Sequence, residues 1–270
     1  MAHLKIGIVG SAGRMGQSLV REIVQTDGVR LVAASEHATH PALGQDAGSF
    51  SGLGALGIKI TDDSGQVFEI ADSVLEFSGP QATVSHAGLA AAAGVCHVIG
   101  TTGLNPKEEA ALGAAAEKTA IFWAPNMSIA VNVLIALAEQ AAGALNDDFD
   151  IEILEMHHRH KVDAPSGTAL ALGRAVAKGR GVDLEEVSQR ARDGITGERR
   201  RGDIGFAVLR GGDVVGNHSV ILAGGNDRLE LTHQATSRQI FAAGAVRAAI
   251  WLQRKPPGLY GMRDMLGFAG

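Results

Sequence analysis

Apolar positions run along this chain in two rhythms, and the change between them divides it. Through the first half, short apolar runs at residues 5–9, 29–35, 73–77, 95–99 and 120–124 alternate with helical stretches at 18–24, 81–93 and 106–118. A short, nearly continuous apolar run marks a strand covered on both faces. Repeated strand–helix order predicts a doubly wound parallel sheet. Residues 58–60 and 66–70 fit a further short strand and a short helix, while 37–56 is rich in Gly, Ala and Ser without a period and reads as a surface connection. A long Ala/Val/Leu helix over 129–145 leads into the second rhythm. There 151–154 alternates apolar and acidic residues. Residues 204–209, 214–222 and 227–236 alternate well enough to be antiparallel strands, with Gly211-Gly212 and Gly224-Gly225 as turns. A helix from about 168 to 178 and an amphipathic one over 238–252 follow the same reasoning, and the mixed-charge stretch 190–203 reads as an exposed loop. The expected class is α/β: a doubly wound parallel sheet plus a second α+β domain with a mixed or antiparallel open sheet.

Composition narrows this picture. The chain has 270 residues, enough for two modest domains, and is 46% hydrophobic but only 4% aromatic, so its core is built from Ala, Val, Leu and Ile. A net charge of −5 argues against a general nucleic-acid binder. Charge or glycine interrupts every apolar run before it reaches membrane-spanning length. The opening Met-Ala-His-Leu-Lys runs straight into a strand, so no signal sequence is expected. The single cysteine, Cys96, has no internal partner and reads as a small buried hydrophobe. Together these features point to a cytoplasmic protein.

Two stretches carry candidate chemistry. After the first strand comes Gly10-Ser-Ala-Gly13-Arg-Met-Gly16, and then a helix. This order is the context of a dinucleotide fingerprint: Gly10 for the tight turn, Gly13 for close approach of the pyrophosphate, Gly16 for close packing of helix on strand. The spacing is looser than G-x-G-x-x-G. However, Glu36 ends the second strand, twenty residues beyond Gly16, where the adenine ribose hydroxyls would be gripped. Nicotinamide dinucleotide binding is therefore expected, with Gly100-Thr-Thr-Gly103 closing a strand at the edge where the ring would lie.

The second stretch is Glu155-Met-His-His-Arg-His-Lys-Val-Asp-Ala-Pro-Ser-Gly-Thr168. His157, His158, Arg159, His160 and Lys161 can all carry positive charge, and Ser166 and Thr168 open a helix whose N-terminus favours an anion. Cations and a helix N-terminus together suit a small acid with more than one carboxylate. A histidine-rich tract is often a metal site, but these histidines alternate faces if the strand continues, and no cysteine pair stands nearby, so no metal is expected. A merely solvated basic loop is the plainer alternative.

These motifs, with Ala124-Pro-Asn-Met-Ser128, resemble those of the 4-hydroxy-tetrahydrodipicolinate reductase (dihydrodipicolinate reductase) family, and the resemblance runs from Ile6 to about Asp264. It implies NADH- or NADPH-dependent reduction of a cyclic imine dicarboxylate in the diaminopimelate route to lysine. It implies that His157 donates the proton with help from Lys161, and that His158, Lys161, Ser166, Gly167 and Thr168 bind the substrate. Gly10, Ser11, Ala12, Gly13, Arg14, Met15, Glu36, His37, Gly100, Thr101, Thr102, Ala124, Pro125, Asn126 and Met127 would contact the cofactor. It further implies a Rossmann-type domain over 1–127 and 239–270, a substrate-binding and oligomerisation domain over 128–238, and a homotetramer. Two positions depart from better-known bacterial members: His37 replaces an arginine that reads a 2′-phosphate, and Met127 replaces an aromatic near the nicotinamide. NADH is therefore the expected preference over NADPH. Another Rossmann dehydrogenase of an amino-acid-derived substrate, or a nicotinamide-sensing regulator, are the competing readings. The first would need a nucleophilic cysteine, which Cys96 fits poorly, or a different substrate loop, and the second would have no use for the cationic stretch.

Overall fold

The computed structural model describes residues 3–268. In chain order, the first half gives β1 (Leu4–Val9), α1 (Arg14–Gln25), β2 (Val29–Ser35), α2 (Ala47–Phe50), β3 (Ile60–Thr61), α3 (Ser64–Ile70), β4 (Ser73–Glu76), α4 (Pro80–Ala93), β5 (Cys96–Ile99), α5 (Pro106–Ala116) and β6 (Ala120–Trp123). It continues with α6 (Ile129–Leu145), β7 (Asp150–His157), α7 (Gly167–Arg180), α8 (Leu184–Val187), β8 (Ser188–Gln189), β9 (Ile204–Arg210), β10 (Gly216–Ala223) and β11 (Arg228–Ala235). Last come α9 (Gln239–Leu252), β12 (Gly258–Tyr260) and α10 (Met262–Leu266). Two compact units result, residues 1–128 with 239–270 and residues 129–238.

The first unit is a parallel sheet of seven strands in the order β12-β6-β5-β4-β1-β2-β3, the Rossmann arrangement with one strand added at an edge. Its order reverses between β1 and β4, and in open α/β sheets ligands bind at the carboxyl ends of strands at such a switch point. The turn from Gly10 follows β1, and the turn Phe77–Pro80 follows β4, so both lie there. Ile6 and Ile8 of β1 pack with Leu19, Val20 and Ile23 of α1 and with Val246, Ala249 and Leu252 of the returning α9. Close packing needs a missing side chain at Gly244, where a Cβ would fall 1.8 Å from the Met127 carbonyl oxygen. The short β12 and α10 are additions the sequence pattern did not foresee. Cys96 is half-buried rather than buried, its thiol near the Leu252 carbonyl.

The second unit is a five-stranded mixed sheet, β11-β10-β7-β9-β8. Ile151, Ile153, Ile204, Val220 and Leu222 pack against Leu172 and Val176 of α7 and Leu134 of α6. The expected antiparallel trio is only partly correct. The β10–β11 pair is antiparallel across Gly224-Gly225, but β9 runs parallel to β7 and lies on its other side, so Gly211-Gly212 closes no hairpin. The physical gain is that β7 is paired along both edges, with its apolar face, Ile151 and Ile153, beneath the helices. Among the described residues no helix is long and apolar enough to cross a membrane.

Candidate active site

In β7 burial alternates, and Glu155 and His157 continue the face that Ile151 and Ile153 open. The core face of this strand thus ends in an acid and an imidazole. Glu155 is 1% and His157 8% exposed. His157 Nδ1 lies 2.5 Å from Glu155 Oε2. A carboxylate only accepts, so Nδ1 carries the hydrogen and Nε2 faces away from the pair. Arg210, at the end of β9 and in register with His157, donates to both Glu155 oxygens at 2.8 and 3.0 Å. The Ser166 amide donates to Oε1 at 2.9 Å. For Glu155, burial alone would raise the pKa, but Arg210, His157 and this amide together bring it below the ordinary carboxylate value. For His157, burial lowers the pKa and Glu155 only partly restores it. Beyond Nε2 stands Gly216, where a Cβ would sit 2.9 Å from that nitrogen.

The same Glu155 fixes the start of α7, because the amide it holds belongs to the N-cap residue. The Ser166 side chain accepts from the Ala169 amide at 3.2 Å. Gly167 and Thr168 then present the first N–H groups of the helix, which have no intrahelical acceptor. Lys161, in the loop between β7 and α7, reaches Asp163 with Nζ 2.7 and 2.9 Å from its two oxygens. That pair holds the Asp163 carboxyl below its ordinary range. His158 Nε2 is 3.2 Å from Arg238 Nη2, while Arg159 and His160 face solvent. Sequence reasoning missed Glu155 as the partner of His157, and missed Arg210, Asp163, Arg238 and His218 altogether. The Glu-x-His spacing on one strand face was the available signal for the first. Among the described residues no three His, Cys, Asp or Glu side chains come together as metal ligands.

In the first unit the glycine turn has the form a dinucleotide needs. Gly10 has φ +75°, and a Cβ at Gly16 would fall 2.2 Å from the Gly10 carbonyl oxygen. Gly13, N-cap of α1, and Arg14 are exposed, whereas the Ser11 and Ala12 side chains are buried, Ser11 Oγ donating to the Ser35 carbonyl. Glu36 accepts from the amides of Ala12 and His37, each at 3.0 Å, which ties the end of β2 to the turn. His37 Nδ1 lies 3.1 Å from Thr39 Oγ1, and its ring meets His40 edge-on.

Three expected contacts are placed differently from a simple surface. Thr101 is 2% exposed, and its hydroxyl receives the Ser78 amide at 3.1 Å and meets Thr83 Oγ1 at 2.8 Å. Met127, 1% exposed, and Ala124, 4% exposed, belong to the core. Thr102, Pro125, Gly100 and Asn126 keep exposed or half-buried positions. Behind Thr101 lies Glu76, fully buried at the end of β4. Its carboxylate receives His86 Nδ1 at 2.7 Å, Thr83 Oγ1 at 3.2 Å and the Ser78 hydroxyl, with His97 Nε2 at 2.9 Å. Burial pulls the Glu76 pKa upward, but the two histidines outweigh it and hold the carboxyl well below its ordinary range.

Comparison with known proteins gives a consistent result. The family described as dihydrodipicolinate reductase, N-terminus, matches residues 4–127, and dihydrodipicolinate reductase, C-terminus, matches 130–266. The 4-hydroxy-tetrahydrodipicolinate reductase of Chelativorans sp. (strain BNC1) is 55% identical over 269 residues, covering 99% of this chain and 97% of that protein. The protein of the same name from Brucella abortus (strain 2308) is 55% identical, over 96% of this chain and 97% of its own. Among solved structures, the dipicolinate-bound dihydrodipicolinate reductase from Paenisporosarcina sp. TG-14 superposes with TM-score 0.79 at 25% identity, covering 97% of this chain and 99% of that one.

Proposed function

The chain belongs to the dihydrodipicolinate reductase family, and from that premise we propose how its residues carry out the reduction of 4-hydroxy-tetrahydrodipicolinate to tetrahydrodipicolinate. It is an oxidoreductase of the diaminopimelate route to lysine. The observation that carries the assignment of roles is the Glu155–His157 pair, joined through Glu155 to the N-terminus of α7. One carboxylate orients the proton donor and fixes the start of the helix that receives the substrate's charge.

The glycine turn from Gly10 to Met15, Glu36 and the strand-end loops at Gly100–Thr102 and Ala124–Met127 hold the nicotinamide dinucleotide, which supplies the hydride when bound. The Gly10 and Gly16 geometry supports this, because Gly10 takes the left-handed turn and Gly16 lets α1 start against it, presenting the helix N-terminus where a pyrophosphate would approach. The buried side chains of Thr101 and Met127 leave their backbones for that contact. In the substrate unit, the N–H groups of Gly167 and Thr168 and the Ser166 hydroxyl receive one carboxylate, and His158 and Lys161 meet the other. Lys161 exchanges Asp163 for the substrate. The substrate's 4-hydroxyl leaves as water to give the conjugated cyclic imine, and His157, with Nδ1 held by Glu155, then gives a proton from Nε2 to the ring as hydride adds to carbon. A cytoplasmic homotetramer joined through the second sheet fits the exposed edge strand β11, where Leu229 is 40% exposed. The decisive experiment is oxidation of NADH or NADPH with the freshly generated cyclic dicarboxylate. Absence of turnover at every cofactor concentration overturns the reading.

Two outcomes follow from the electrostatics. Because burial keeps the His157 pKa below 6.5 in the free enzyme, kcat/KM should fall as pH rises through a value beneath that figure. The fall should vanish in whatever activity His157→Gln retains, and a profile flat from about pH 5 to 8 in wild type would remove His157 as proton donor. The second concerns the cofactor. Glu36 can still accept from ribose hydroxyls but repels a 2′-phosphate, and His37 offers a single ring nitrogen where an arginine would offer a bidentate fork. NADH is therefore preferred over NADPH. His37→Arg should shift kcat/KM towards NADPH. A wild-type preference for NADPH at about pH 8 would show that another group reads the phosphate.

A further inference from the structure

Behind the proposed carboxylate site stands a histidine with no part in the reaction just described. His218 sits in β10, in register with Glu155 of β7, and is 4% exposed. Its Nε2 lies 3.1 Å from Ser166 Oγ, and its ring meets His157 edge-on at 5.0 Å between centroids. His233 of β11 lies opposite it on the other side. The His218 Nδ1 is buried, with no hydrogen-bond partner among the described residues. Burial, reinforced by His157, lowers the His218 pKa to about 4, so the ring is neutral near pH 7.

A neutral imidazole has one hydrogen, and the surroundings decide which nitrogen carries it. A hydrogen on Nδ1 would be a buried donor without an acceptor, which folded proteins avoid more strictly than an idle lone pair. The hydrogen therefore sits on Nε2 and points at Ser166 Oγ. That oxygen already accepts from the Ala169 amide. With two N–H groups directed at it, both lone pairs of the serine oxygen are filled. Its own hydrogen is then left over, turned away from both donors.

We propose that His218 is a positioning residue for substrate binding: its Nε2–H fixes the Ser166 hydroxyl so that the hydroxyl hydrogen is directed to a substrate carboxylate. The proposal rests on the reading of Ser166–Thr168 as the carboxylate site. With the opposite tautomer, the ring would accept the serine hydrogen and leave the hydroxyl nothing to donate. His218 thus settles whether Ser166 is a donor at all.

The test uses the full-length enzyme. His218→Leu removes the donor; His218→Gln places an amide nitrogen near the position of Nε2. His218→Leu should raise the substrate KM and the Ki of dipicolinate roughly fivefold to tenfold, the size of one lost hydrogen bond, while the KM for NADH stays put. His218→Gln should restore most of the loss, which a role in packing alone would not give. In a Ser166→Ala background, His218→Leu should add no further rise. Nitrogen-15 NMR of the wild type should show His218 protonated at Nε2 and bare at Nδ1 near pH 7. The Nδ1–H tautomer, or independent effects of His218→Leu and Ser166→Ala, overturns the proposal while leaving the carboxylate site intact. If Ser166→Ala itself changes neither KM nor Ki, the carboxylate reading fails first, and the role of His218 falls with it.

Discussion

His157→Gln should lower kcat roughly a hundredfold or more, the usual cost of removing a positioned proton donor, and leave the dissociation constant for NADH unchanged. The glutamine keeps bulk and polarity beside Glu155 but cannot hold a transferable proton. The residues assigned to the cofactor lie in the first compact unit and His157 in the second, so binding and turnover should separate cleanly. Fluorescence titration with NADH reads the first quantity and steady-state oxidation the second. A variant that turns over at the wild-type rate while losing NADH would reverse the assignment. Glu155→Gln should cost less, because an amide can still accept from Nδ1. It would nevertheless leave Arg210, which donates to both Glu155 oxygens, without a counter-charge.

The largest expected loss of stability follows from Glu76→Ala. Removing one partner from a buried charged cluster leaves the others without an acceptor and costs on the order of 3–5 kcal/mol. Here those left behind would be His86, Thr83, Ser78 and His97. At a few degrees per kcal/mol, Tm should drop by about 10 °C. The acid dependence has a definite sign. The folded carboxyl has a pKa below its ordinary 4.5, so its contribution is fully present above that pH and is lost as pH falls beneath it. Wild-type Tm should decline below pH 4.5, and Glu76→Gln should flatten part of that decline. Differential scanning calorimetry from neutral pH down to about 3.5 makes the comparison. A Glu76→Ala protein melting within a degree or two of wild type would show that the cluster contributes little. The Ser78 amide also bonds Thr101, which links this cluster to the loop assigned to the cofactor. The same variant should therefore raise the KM for NADH more than that for substrate.

Much of this was legible in the chain because the signals were local. An unbroken apolar run, a glycine turn and a helical stretch define β1, its turn and α1 without tertiary information. Ser166 opening α7 is equally local. What was not legible depends on which strands become neighbours. Alternation identifies residues 204–209 as a strand but cannot say that β7 separates it from β10, and Arg210 and His218 reach the site only through that pairing. β12 is three residues long, too short for any period to register. Residues 73–77 read as a strand, but nothing in that reading singles out Glu76, whose partners come from a helix and a neighbouring strand. The inward turn of Thr101 and Met127 is likewise a matter of packing, which a motif does not encode.

β7 has neighbours along both edges, β10 over Asp150–Met156 and β9 over Ile151–His157. Amides in such a strand exchange with solvent deuterium only when a whole cooperative region opens, and so rank among the slowest in a fold. Glu155 and His157 ride on that strand, whereas Lys161 is anchored by one ion pair to an Asp163 that is 54% exposed. An exposed pair of this kind breaks and reforms readily. On that assignment the two groups would keep different clocks: the histidine rides on a strand that opens rarely, and the lysine would trade Asp163 for substrate within each turnover.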